Sequence, residues 1–152
     1  MNKAPFFLLL AVAFAFTACK KDEVDNTPVV DTNIVKLTAT LDGKQEVPTN
    51  PSTATGTFTG SLNKTTRVLT YVVTYPSTLV LTGGHLHKGA PGVAGPVVVP
   101  FDATALKTSP INGTTTLRQS LADSLVNNQI YANLHTVAYP GGEIRGDIKV
   151  VK

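Results

Sequence analysis

Residues 34–43 read Ile-Val-Lys-Leu-Thr-Ala-Thr-Leu-Asp-Gly. Val35, Leu37, Ala39 and Leu41 fall on one side of an extended chain, and Lys36, Thr38 and Thr40 on the other. This period of two marks a half-buried strand, and Asp42-Gly43 ends it. The same rhythm continues downstream. Gly56 to Leu62 alternates around Phe58. Val68 to Tyr75 (VLTYVVTY) is a longer strand stopped by Pro76. Thr78 to His87 is weaker, with Gly83-Gly84 marking a bulge or a close backbone approach. Pro96 to Phe101 is short and apolar, and Thr114 to Leu121 is a further strand candidate. Leu121 to Asn127 is the best candidate for a helical turn. Gln129 to Thr136 and Glu143 to Val151 flank the turn Tyr139-Pro140-Gly141-Gly142, which makes them a hairpin. Seven or eight short strands with frequent turns predict an all-β domain. The expected architecture is a single antiparallel Greek-key, immunoglobulin-like β-sandwich or a barrel, spanning residues 34–152.

Bulk properties agree with that class. The chain has 152 residues, enough for one domain, with 12 Gly and 10 Pro among abundant Thr and Val. Only 15% of residues are charged and the net charge is +3. No run of about five like charges exists, so a nucleic-acid partner has no footprint. The single cysteine rules out an intramolecular disulfide.

The N-terminus carries a second message. Met1-Asn2-Lys3 is a short positive start, and Pro5 to Phe16 is almost wholly apolar. That run is shorter than the ~20 residues a membrane span needs, and has the length of a signal-peptide core. Thr17-Ala18-Cys19 follows, and the three residues resemble a bacterial lipobox, with Phe16 where Leu is usual. Residues 1–18 are therefore expected to be a lipoprotein signal peptide. Cys19 is expected to take the lipid, and 19–33 to be a polar tether ending near Pro28. One acyl chain binds a membrane marginally, whereas the several chains of a lipoprotein cysteine anchor it firmly. Lys20 stands where Asp would signal inner-membrane retention. The expected location is the outer membrane, on its periplasmic face or at the cell surface.

Chemistry-bearing residues are few. His85-Leu86-His87 sets two imidazoles on one face of a strand. His135 lies on the first strand of the last hairpin, within Asn133-Leu134-His135-Thr136. If these strands are neighbours, three imidazoles converge, a ligand set suited to zinc or copper, and Glu143 could add a carboxylate. The plainer alternative is that the histidines hydrogen-bond loop backbones. Glu143, Arg145 and Asp147 alternate along the last strand. They read either as a solvated, salt-bridged face or, with Asn133, as a polar site beside His135. Gly89 to Pro96 lacks the Gly-Lys-Ser/Thr of a phosphate loop, and Ser120 and Ser124 lack a nucleophile-elbow setting. No catalytic constellation is evident.

Several blocks together resemble the CHRD domain, the module named after chordin. They are Leu41-Asp42-Gly43 with Gln45-Glu46-Val47-Pro48; Leu69-Thr70-Tyr71; Gly84 to Gly89; Gly95-Pro96-Val97-Val98; Tyr131 to Thr136; and Pro140 to Ile148. Thr49 departs from a second proline common in the family. The resemblance implies an immunoglobulin-like or related Greek-key sandwich and little about activity. The His-x-His strand is also similar to that of Cu/Zn superoxide dismutase, which needs more histidines than the three present. The expected function is a non-enzymatic, lipid-anchored binding or envelope module for an extracytoplasmic protein or glycan. The alternative is a copper or zinc protein using His85, His87 and His135, with redox chemistry among its uses.

Overall fold

A computed structural model describes residues 32–152 together with Met1. The expected signal peptide, Cys19 and nearly all of the tether lie outside the described residues. Among those residues no helix is long and apolar enough to cross a membrane.

The described residues form nine strands and one α-helix: β1 (Ile34–Asp42), β2 (Thr55–Asn63), β3 (Val68–Thr74), β4 (Leu81–Lys88), β5 (Val97–Pro100), β6 (Ile111–Thr116), α1 (Gln119–Val126), β7 (Ile130–Thr136), β8 (Ile144–Asp147) and β9 (Lys149–Val150). They make one antiparallel sheet in the order β5-β4-β7-β8-β1-β2-β3-β6, with β9 also pairing β1. The sheet curls into a half-barrel, so the all-β antiparallel expectation holds as one continuous curled sheet. Its connections β3–β4, β5–β6 and β6–β7 each carry the chain from one side of the sheet to the other. The two edge strands line a common cleft, with Val98, Val99 and Pro100 on one side and Asn112 to Thr115 on the other.

Each element follows from local chemistry. In β1, Leu37, Ala39 and Leu41 are buried while Thr38 and Thr40 are exposed, as the alternation requires. Asp42 ends the strand by accepting hydrogen bonds from the amides of Lys44 and Gln45, which nucleates a short 3₁₀ turn. Asn63 closes the β2–β3 turn in the same way, accepting from Thr65 and Thr66 amides at 2.9 Å each. The concave face is filled by a stacked row of rings. Phe58 and Tyr71 have centroids 5.9 Å apart, and Tyr71 and Phe101 5.2 Å apart. α1 lays Leu121, Ala122 and Leu125 onto this core.

Some expected boundaries move. β6 begins at Ile111 and stops before Leu117, whose buried side chain instead leads into α1. The expected strand from Glu143 to Val151 is broken at Ile148. Its amide donates to Ile130 on β7 at 3.0 Å, while the amide of Val151 donates to Lys36 on β1 at 2.9 Å. The chain thus leaves one neighbour for the other. The predicted bulge is present as a register shift between Leu81 and Gly83.

A candidate metal centre beside a buried polar cluster

Leu86 and Leu134 point into the core, so alternation turns their neighbours to the opposite face of the sheet. On β4 these are His85 and His87; on β7 they are Tyr131, Asn133 and His135. The register pairs His87 with Tyr131, His85 with Asn133 and Gly83 with His135. Three imidazoles therefore meet, and one nitrogen from each lies within 4.8 Å of the others. His85 Nδ1 and His135 Nε2 are 3.2 Å apart. Two imidazole nitrogens bound tetrahedrally at ~2.0–2.1 Å from zinc would be about 3.3 Å apart.

The outer nitrogens are already fixed. His135 Nδ1 donates to the carbonyl of Pro140 at 3.1 Å, and His87 Nδ1 to the carbonyl of Gly95 at 2.9 Å. Each bond assigns the proton to Nδ1 and leaves Nε2 with a lone pair. Backbone carbonyls in this position are the usual outer partners of ligating histidines. His87 Nε2 is buried and has no partner. Burial pushes the His85 imidazole below its ordinary value, and the neighbouring His135 and His87 push it further. Burial also lowers His135, the Pro140 carbonyl partly offsets it, and His87 lowers it again. Both shifts favour the neutral imidazole at His85 and His135, the form that binds metal. The backbone-bonding role expected of the histidines is thus present for two of them, and it orients the ligand set.

Tyr131 supports the site from behind. Its ring stacks on His87 with centroids 4.9 Å apart and 9° between planes. Its hydroxyl accepts from the amide of Gly95 at 3.0 Å, while the carbonyl of Gly95 takes His87. One peptide residue thus holds both rings. A Cβ on Gly95 would lie 1.7 Å from the carbonyl oxygen of Lys88, so only glycine fits.

The reading of Glu143, Arg145 and Asp147 as a solvated face does not hold. Arg145 is 1% exposed, Glu143 is buried, and only the Arg145–Asp147 ion pair survives from that reading, at 3.0 Å. The loop from Gly89 to Pro96 covers the strand. Arg145 Nη2 donates to the carbonyl of Val93 at 3.2 Å, and its guanidinium lies 3.6 Å from the Tyr131 ring centre. Glu143 does not join the histidines. Its carboxylate accepts from Ser52 Oγ at 2.8 Å and Thr136 Oγ1 at 2.5 Å. Asn133 does pair with Arg145 across the strands, and above them lies Glu46. The sequence reading gave Glu46 and Tyr131 no role. Tyr131 was recoverable, because it shares the period of two with Asn133 and His135. Glu46 was not, because nothing local says that a 3₁₀ turn folds it onto β7 and β8.

An all-β half-barrel whose outer sheet face carries a three-histidine cluster under two covering loops defines the class. The model of the CHRD domain family matches residues 37–148, most of the chain, and the protein belongs to that family. No curated protein and no solved structure matches the chain.

Proposed function

We propose that this CHRD protein is an exported, lipid-anchored envelope module that binds one transition-metal ion, copper or zinc, through His85, His87 and His135. The observation that carries the reading is the buried, unpartnered Nε2 of His87 facing two further imidazole nitrogens within 4.8 Å. A lone pair in a dry site without a donor is unfavourable, and a metal ion supplies the missing acceptor of charge. Three protein ligands leave a coordination position for water or a small ligand. The absence of a carboxylate among the three favours soft or borderline ions over calcium or magnesium. The anchor rests on Cys19 after the apolar run Pro5 to Phe16.

Elemental analysis of the purified chain, loaded with copper or zinc and then desalted, tests the reading. One equivalent in the wild type and none in a variant with all three histidines changed to Ala is the expected result. No retained metal in the wild type would refute it. Radiolabelled fatty acid incorporated by the wild type but not by Cys19→Ala tests the anchor separately.

The rival reading, a module that docks an extracytoplasmic protein or glycan, has one specific observation behind it. Val80 and Val137 are 78% and 83% exposed where β4 and β7 end, just past the paired Leu81 and Thr136.

A further inference from the structure

Glu46 is 6% exposed, and Asn133 beneath it is 4% exposed. Asn133 Nδ2 donates to Glu46 Oε2 at 3.4 Å. The other two oxygens of the pair, Glu46 Oε1 and Asn133 Oδ1, are buried and have no partner. The ends of both side chains lie under Gly142, where an added Cβ would meet Glu46 Oε1 at 2.4 Å, Asn133 Nδ2 at 2.6 Å and Asn133 Oδ1 at 2.7 Å. Two acceptors sharing a dry space leave each other unsatisfied. One proton on Glu46 Oε1 removes both deficits. The O–H then donates to Asn133 Oδ1 while Asn133 Nδ2 donates to Glu46 Oε2, closing an acid–amide ring. Arg145 Nε is a further buried orphan; Arg145 pairs with Asn133 across β7 and β8, and its charge acts on Glu46.

We infer that Glu46 and Asn133 form a proton-binding acid–amide pair, and that loss of the proton transfers the Glu46 carboxylate from Asn133 to Arg145 Nε. The charged groups around Glu46 leave room for both states. From its own turn comes exposed Lys44, which shares a surface groove with Glu46 and Asp147. From β8 comes Arg145, whose Nη2 is committed to Asp147. Glu143 is engaged by Ser52 and Thr136. β7 offers Asn133, with His135 two residues further along the same face; the Tyr139–Gly142 turn brings Tyr139, which lines a groove with Glu46; and the 89–96 loop gives carbonyls to Arg145. Burial outweighs the attraction of Arg145 and raises the Glu46 carboxyl to about 7, so both states are populated at neutral pH. Val47, Pro48 and Thr49 follow Glu46 directly and line the grooves on both of its sides. Exchange of partner at Glu46 therefore moves a wall common to the two grooves.

The test is a pH titration of the full chain, labelled with carbon-13 and nitrogen-15, reading the Glu46 carboxyl carbon, the Asn133 side-chain amide and Arg145 Nε. The expected result is one shared midpoint near 7, against about 4.3 for an unperturbed glutamate. In Glu46→Gln, a neutral mimic of the protonated acid, the Asn133 and Arg145 responses should vanish; any remainder belongs to the histidines. A carboxyl midpoint near 4.3 overturns the inference, and so does a midpoint near 7 with flat Asn133 and Arg145 signals. The wild-type titration decides the matter even if the variant does not fold.

Discussion

His87 and Tyr131 lie face to face, 4.9 Å between ring centres and 9° from parallel, and each is tied at its polar end to Gly95. The stack sets the direction of His87 Nε2. Tyr131→Phe keeps the ring and loses the hydroxyl's two bonds to Gly95, one from its amide and a longer one to its carbonyl, an expected cost of about 1 kcal/mol. Tyr131→Ala removes the ring, an expected cost of about 3–5 kcal/mol. Denaturant melts should rank the two in that order. Metal titration should find the Ala variant weaker by the larger factor.

Gly95→Ala should be more disruptive than its size suggests. The new methyl meets the Lys88 carbonyl at 1.7 Å, so the loop must shift and release the carbonyl that holds His87. Nitrogen-15 spectra should show His87 losing its fixed Nδ1–H tautomer. A retained tautomer would mean that stacking alone positions the ring.

Acidity should act through the histidines and through Glu46 with opposite signs. His85 and His135 have folded-state values below the ordinary 6.5. Between those values and 6.5 the unfolded chain binds more protons, so their stabilising contribution is complete above 6.5 and lost as pH falls. Glu46 rises from 4.5 to about 7 on folding. Between 4.5 and 7 the folded chain binds more protons, so its contribution is complete below 4.5 and lost as pH rises through 7. Urea melts of metal-free wild type should show these slopes opposing each other near pH 6. In Glu46→Gln only the histidine slope should remain, with stability rising as pH rises.

Arg145→Met should destabilise the fold by about 3–5 kcal/mol, although methionine retains much of the apolar stem. The change strands Asp147 and frees the carbonyl of Val93. Limited proteolysis should then cut between Gly89 and Pro96 faster than in the wild type. An unchanged cutting rate would show that the loop is held by Tyr131 and His87 alone.

Phe58→Ala should cost about 3–5 kcal/mol by emptying the centre of the ring row, since Phe58 is wholly buried against Tyr71. Metal stoichiometry should be unaffected, because the core and the histidines occupy opposite faces of the sheet.

The strands were legible because their alternation is clean. β1, β2 and β3 turn every second residue inward, with Val35 and Gly60 half-buried and the others buried, and Asp42-Gly43 is a stop signal with a local mechanism. The convergence of the histidines was legible as a condition on β4 and β7 being neighbours, which they are. The fate of Arg145 was not. A strand reading Glu-Ile-Arg-Gly-Asp looks half-solvated until a loop some 55 residues earlier in the chain is laid across it, with its carbonyls at hand. The break at Ile148 was equally hidden, because a strand that changes partners keeps its period of two. Long-range covering of a sheet face leaves no mark on local periodicity.

The open rims of the half-barrel bear on how such proteins live side by side. An unpaired strand at a sheet edge invites the next molecule to add itself. At one rim β5 is four residues long and ends on Pro100. Phe101 donates inward to Gly84, so alternation aims position 100 outward, and proline has no hydrogen there to offer. This rim is blunted by imino-acid chemistry against the edge-to-edge addition of a second copy.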